Sequence, residues 1–242
     1  MMDNRSCFWG GEPPRRHMHM RSRKTNTRHG AGGFSLLEMM IVLALILITS
    51  VISVVNLVPV MQSQHVTNAY NTTLSTLRQA RDNAVSQRTA YSVTFSNAAI
   101  PNTITVAPTL TGSSAFQGDQ KTAIYSLPTD VTFQTNSAIS ASTAPDSSPG
   151  SNFGTGANPI DFGYTGSGGS GGATTIYFCP DGSAQTVSSC AGANYWDDGV
   201  VYMAQGTNLL SSRAVDLWGG TGRIHGWRLY AKTGGGYQWL RQ

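Results

Sequence analysis

This chain has little charge: Asp, Glu, Lys and Arg together make up 12% of its 242 residues. Such a composition fits a cytosolic helical enzyme poorly, whereas 27 glycines and plentiful small polar residues suit a secreted, turn-rich β domain. A broad basic surface is also missing. Seven of the 16 Lys/Arg lie before Phe34 (Arg5, Arg15, Arg16, Arg21, Arg23, Lys24 and Arg28), set against Asp3 and Glu12. The remaining nine basic residues face ten acidic ones, so the formal net charge of +4 belongs to a short leader and not to a nucleic-acid-binding face. Histidine is scarce as well. Only His225 follows His65, and no carboxylate near it in sequence suggests a catalytic triad. No convincing set of nucleophile, base and oxyanion donors is present, which argues against a tethered hydrolase.

What the chain does have is one long apolar run. Phe34 to Val58 is about 25 residues, roughly 37 Å as a helix at ~1.5 Å per residue, and a bilayer core needs about 20. The basic leader marks the cytoplasmic side, which leaves everything after Val58 outside, in the periplasm of a diderm bacterium. An ordinary signal peptide would have a shorter apolar region and a small-residue cleavage site, yet here the uncharged stretch continues to Leu77. Glu38 interrupts the run. A carboxylate at membrane depth costs a few kcal/mol and is rare and functional, or else it snorkels to the headgroups as a boundary residue. Met18 and Met20 are alternative starts to Met1.

Gly33-Phe34-Ser35-Leu36-Leu37-Glu38-Met39-Met40, after a basic leader and before an apolar run, resembles the processing site of type IV pilins and type II secretion pseudopilins. The resemblance implies that a prepilin peptidase cuts between Gly33 and Phe34 and that the new Phe34 amine is N-methylated. It also implies that Glu38 neutralises this ammonium, in its own chain or a neighbour's, and so sets axial register. A plain uncleaved anchor gives no reason for Glu38.

Beyond the membrane segment, Pro59 lacks an amide donor and is expected to kink or break the helix. Val66, Tyr70, Leu74, Leu77, Ala80 and Ala84 then recur at helical spacing as an apolar stripe, with Arg78 and Asp82 off it as an i,i+4 pair. The period next changes to two. Tyr91/Val93/Phe95, Ile104/Val106, Val131/Phe133 and Ile160/Phe162 alternate with small or polar residues. Further strands are expected at Ile124–Leu127, Thr175–Cys179, Gly199–Met203, Ala214–Trp218, Gly226–Tyr230 and Tyr237–Leu240. The fold expected is therefore α+β: a pilin-type N-terminal transmembrane helix followed by an antiparallel β-sheet or β-sandwich domain. Residues 1–33 form the cleaved leader and 34–90 the helix, with 34–58 in the membrane and 60–90 amphipathic. Residues 91–242 form the periplasmic domain, carrying exposed loops at 134–159 and 163–172.

The helix stripe, the segment Ala80–Ser96 and "TIYFCPDGSA" (Thr175–Ala184) together resemble the GspH/FimT branch of these proteins, which holds minor pseudopilins and minor pilins. Membership implies a structural subunit with no catalytic residues and no cofactor. Its partners would be the peptidase, other pilin-like subunits, an inner-membrane assembly platform and membrane lipid, with secreted cargo or DNA as further candidates.

Other candidate chemistry reads as follows. Cys179 and Cys190, flanking an Asp181-Gly182 turn, suggest a disulfide in an oxidising compartment; the alternative is two buried thiols that never meet. No metal site is expected beside them. Gly168-Gly169-Ser170-Gly171-Gly172 matches the letters of a nucleophile elbow but lies inside a Gly/Ser tract rather than between a strand and a helix. Asp197-Asp198 could help bind Ca²⁺, or simply be two solvated acids in a turn. Arg223, Arg228, Lys232 and Arg241, among Trp218, Trp227, Tyr230, Tyr237 and Trp239, could grip single-stranded DNA or sugar. Some FimT-like pilins are thought to bind DNA through a C-terminal Gly-Arg-x-Arg element; Gly222-Arg223-Ile224-His225 departs from it in the last place. The other reading puts these aromatics in the sheet core or at a subunit interface.

Overall fold

The computed structural model describes residues 34–109, 122–135, 158–164, 171–188, 190 and 196–242. The leader 1–33, with Gly33, and most of both expected loops lie outside the described residues. The chain divides into two compact units, Met1–Thr49 and Ser50–Gln242.

Helix α1 spans Leu36–Gln87, 52 residues without a glycine. The expected break at Pro59 does not occur: the helical assignment runs through it. A proline in a helix removes one hydrogen bond and crowds one carbonyl, and here long helical runs on both sides carry the backbone across. The helix ends instead at Arg88, whose φ of 54° is left-handed, with Thr89 N–H donating to the Ala84 carbonyl at 3.3 Å. That is a Schellman-type stop formed without glycine. In the unit that ends at Thr49, every described residue is exposed.

In the second unit α1 is amphipathic. Val66, Ala69, Tyr70, Thr73, Leu77, Ala80 and Ala84 are buried on one face. The buried Thr73 hydroxyl costs nothing in unmet bonding because it donates to the Ala69 carbonyl at 2.9 Å. Arg78 and Asp82 do not form the expected ion pair. Two exposed charges gain too little from such contact to hold both side chains in place.

Among the described residues eleven strands follow, all paired antiparallel. They are β1 (Tyr91–Ser96), β2 (Thr103–Pro108), β3 (Ala123–Ser126), β4 (Val131–Thr132), β5 (Ile160–Tyr164), β6 (Thr175–Phe178), β7 (Ala184–Gln185), β8 (Asp198–Gln205), β9 (Arg213–Trp218), β10 (Arg223–Ala231) and β11 (Tyr237–Arg241). One sheet has the order β3-β2-β1-β6-β7; the other runs β11-β10-β9-β8-β4, with β5 also on β8. The architecture is thus the α+β arrangement expected, one long apolar helix and antiparallel sheets. Each expected strand is present, and β7 is an addition too short to show a period.

The main core joins α1 to both sheets. Val93, Phe95, Ile176 and Phe178 come from the first sheet, and Phe162, Val201, Met203, Val215, Leu217 and Ile224 from the second. Phe95 stands at the junction, with Phe133 edge-on and Phe162 tilted, each ring centroid 5.5 Å away. A smaller cluster of Val200, Tyr202, Ala214, Leu229 and Trp239 lies on the opposite face of the second sheet. Because both faces of β8 are buried, its alternation is masked and it reads as a continuous apolar run.

Gly226 in β10 is where helix and sheet come closest: an added Cβ would run into the ring and hydroxyl of Tyr70. Gly226→Ala is therefore expected to overpack this contact and destabilise the domain by roughly 1–3 kcal/mol, read as a lower thermal midpoint by circular dichroism. An unchanged midpoint would show that the helix packs elsewhere.

Candidate functional site

The surface most in need of a partner is the start of α1. Phe34 is 75% exposed and Leu36 83%, and large apolar side chains remain open to solvent as far as Met61. A helix that is apolar all round must meet lipid or other helices. This one holds the single stretch among the described residues that is long and apolar enough to cross a membrane. Its polar side chains bond back to their own helix, as where the Thr49 hydroxyl donates to the Leu45 and Ile46 carbonyls at 3.0 Å. Glu38 occupies the first turn, where the helix macrodipole favours an anion. Ser35 begins the helical bonding through its carbonyl, which accepts from Met39 N–H at 3.1 Å.

The β domain is fastened to α1 by side chains that sequence reasoning missed. His65 Nδ1 lies 2.9 Å from both carboxylate oxygens of Asp130, just before β4, and Gln205 of β8 donates to Asp130 at 2.6 Å. Burial would raise the Asp130 pKa, but hydrogen bonds from His65, the backbone and Gln205 outweigh it and hold the carboxyl below its ordinary value. Arg81 donates through Nε to the Gly182 carbonyl at 3.3 Å and through Nη2 to the Thr221 carbonyl at 3.1 Å. These carbonyls belong to the β6–β7 and β9–β10 turns, one from each sheet. The same turns are stitched by Ala184 N–H donating to the Gly219 carbonyl at 2.7 Å.

Asp197 and Asp198 are not solvated in a turn as expected; both are 6% exposed. Asp197 accepts from the amide and hydroxyl of Thr186 at 2.6 Å each, and Asp198 accepts from Gly219 N–H at 2.7 Å. Burial raises the Asp198 pKa, an effect that the Gly219 amide opposes and the Asp197 charge reinforces. Asp161 is used in the same way, by Tyr164 Oη and Gly172 N–H. Asp216, fully buried on β9, accepts from His225 N–H and from Trp227 Nε1 at 3.0 Å each, with His225 Nδ1 at 3.5 Å. His225 thus does meet a carboxylate, one brought opposite it by strand register and not by sequence proximity. Among the described residues no group of three or more His, Cys, Asp or Glu could hold a metal ion.

Cys179 and Cys190 are joined in a disulfide, and Gln185 Nε2 lies 2.8 Å from the Cys179 sulfur. The Gly168–Gly172 tract falls mostly outside the described residues.

Of the four cations expected as a nucleic-acid grip, Arg223 and Arg241 border one cavity, which Arg228 and Lys232 do not line. On β10, Ile224 and Gly226 face the main core and α1, whereas Trp227 and Leu229 face the second cluster. Arg223 and Arg228 differ in parity and so leave on opposite faces. Arg228 sits 5.1 Å from the centroid of the Tyr230 ring, and Lys232 is exposed in the turn before β11. Of the aromatics, Trp239 is in the second cluster and Trp218 and Trp227 pack against it, while Tyr237 is 39% exposed. Arg223 instead borders a different feature: a cavity of about 390 Å³ with Arg78, Arg81 and Asp82 of α1, His225 of β10 and Arg241 of β11.

An exposed apolar helix with an acid in its first turn, running into an amphipathic half that packs on antiparallel sheets, defines a pilin-like class of protein. The family described as type II transport protein GspH matches residues 69–193, more than half of the chain, and the prokaryotic N-terminal methylation motif matches residues 28–54. The chain belongs to the GspH family, within the pilin and pseudopilin group that serves type II secretion or type IV pili. No curated protein and no solved structure matches it significantly. The first match takes in most of the buried face of α1 together with Cys179 and Cys190; the second spans Gly33, Phe34 and Glu38.

Because the Asp130 pKa is lowered by folding, its contribution is present above the unfolded value of 3.8 and is lost as pH falls through and below it. Melts between pH 5 and 3 should show a decline in thermal midpoint that is shallower in Asp130→Asn, whose midpoint at pH 7 is already reduced. Reduction of Cys179–Cys190 opens a loop with a sequence separation of 11. It should lower unfolding free energy by about 3 kcal/mol in denaturant titrations with and without reductant.

Proposed function

We propose that this chain is a minor structural subunit of a type II secretion or type IV pilus filament, held before assembly as a single-pass inner-membrane protein. The observation that carries this reading is the fully exposed apolar half of α1 with one carboxylate in its first turn. The basic leader stays in the cytoplasm and the β domain lies in the periplasm. A prepilin peptidase cuts between Gly33 and Phe34, which removes the charged cap, and the new Phe34 amine is methylated. Glu38, one helical turn on, then neutralises that ammonium in its own chain or in a neighbour. In surroundings of low dielectric an unmatched charge is costly, so only one axial register between helices satisfies both groups. An inner-membrane assembly platform draws the helix sideways out of the bilayer, and neighbouring helices replace lipid.

Support for a structural role comes from the buried acids, each of which is engaged with a backbone or side-chain donor. A DNA-binding or adhesive minor pilin is the other reading drawn from the sequence, but Arg223, Arg228 and Lys232 do not share the surface it would use.

N-terminal sequencing of membrane-extracted protein, from cells with active processing peptidase, is expected to begin at a methylated Phe34. Glu38→Val should be cleaved normally yet enter filaments at least about tenfold less often, as scored in sheared filament fractions. A first residue other than Phe34 would overturn the processing step, and normal incorporation of Glu38→Val would overturn the register role.

A further inference from the structure

The cavity between the buried half of α1 and the start of β10 shares Arg81 with the domain's fasteners but lies apart from the exposed half of the helix. Four guanidinium-bearing residues border it, Arg78, Arg81, Arg223 and Arg241, against one acid, Asp82. None of the four arginines enters an ion pair among the described residues. The β10–β11 pairing includes Trp227 with Arg241, and Gln242 N–H donates to the Gly226 carbonyl at 2.9 Å, which sets Arg241 near the start of β10. Arg223, Ile224 and His225 of that strand border the same opening as Arg241. Arg81 is already oriented by the Gly182 and Thr221 carbonyls, and Gly222 (φ 60°) leaves its guanidinium room, since a Cβ there would press on both Arg81 and the Gly182 carbonyl. Such prior ordering removes part of the entropic cost of gripping an anion.

We infer that this cavity is a docking site for a carboxylate side chain on an acidic peptide segment of a partner protein, held by Arg223 and Arg241 with Arg78 and Arg81 behind them. The planar fork of arginine matches a carboxylate with two parallel hydrogen bonds. Nucleic acid is the less suitable occupant. Single strands are held by stacking of bases on aromatic rings along a basic track, yet no Phe, Tyr or Trp borders the cavity, and Arg228 and Lys232 do not line it. From Phe34 onward nine basic residues meet ten acidic ones, so the processed chain exerts no long-range pull on a polyanion. A cavity of about 390 Å³ takes one or two side chains, not a run of nucleotides. This inference stands apart from the assembly reading, because it concerns the β domain and not the exposed half of α1.

The test is fluorescence anisotropy of the full chain in detergent micelles with a labelled glutamate-rich peptide, a lysine-rich control peptide and a labelled oligothymidylate, each across a salt series. The glutamate-rich peptide should bind saturably and the control should not. Arg223→Gln and Arg241→Gln should each weaken binding about tenfold or more, the scale expected for losing one charge-assisted contact, whereas Arg228→Gln should leave it unchanged. Thermal midpoints of all three variants should match the parent, which separates lost binding from lost folding. Absence of saturable peptide binding would overturn the proposal. So would binding that ignores both substitutions, or oligothymidylate displacing the peptide, which would make the cavity a nucleic-acid site.

Discussion

An apolar surface on α1 sets the main constraint on this molecule. From Phe34 to Met61 the described large apolar side chains stand open. Each would gain about 1.5–3 kcal/mol from leaving water, so the helix exists only in lipid or against other helices. Those two states are close in solvation, since hydrocarbon tails and leucine side chains are equally apolar. Packing and the few polar groups must therefore decide between them. Glu38 is the one carboxylate of that stretch and lies in the first turn; the register role proposed for it rests on a penalty in lipid that falls where a cation meets it.

The second half of the same helix faces the opposite problem and solves it within the chain. Its apolar stripe is buried on both sheets, and the polar residues beside it act as ties: His65 to Asp130, Arg81 to two turn carbonyls. Buried carboxylates on β5, β8 and β9 do similar work inside the domain by accepting from amides, hydroxyls and an indole. A carboxylate that accepts backbone N–H bonds satisfies donors that the irregular edges of short strands leave over.

The parts of this fold that were legible in the sequence are those set by local periodicity. Alternation at Tyr91–Phe95 and at Ile104/Val106, and the helical stripe from Val66 to Ala84, translate directly into β1, β2 and the buried face of α1. Hidden features depend on register or on tertiary context. The meeting of His225 with Asp216 follows from β9–β10 pairing, which no local pattern displays. Asp197 and Asp198 looked solvated because acids in turns commonly are; their burial follows from Thr186 and Gly219 arriving from other segments. The missing amide donor of Pro59 suggests a break, whereas helix formation is cooperative along 52 residues. The cation cluster near the C-terminus follows proximity in sequence, but strand parity separates Arg228 from Arg223, and only Arg223 and Arg241 of the four border one cavity.

The grip of Arg81 on two carbonyls has a mechanical corollary. One side chain on the rod holds the Gly182 turn of one sheet and the Thr221 turn of the other. A twist applied to the rod at this level reaches both turns together. Within the unit from Ser50 onward, rod and sheets would then rotate as a single lever, with the guanidinium as its pin.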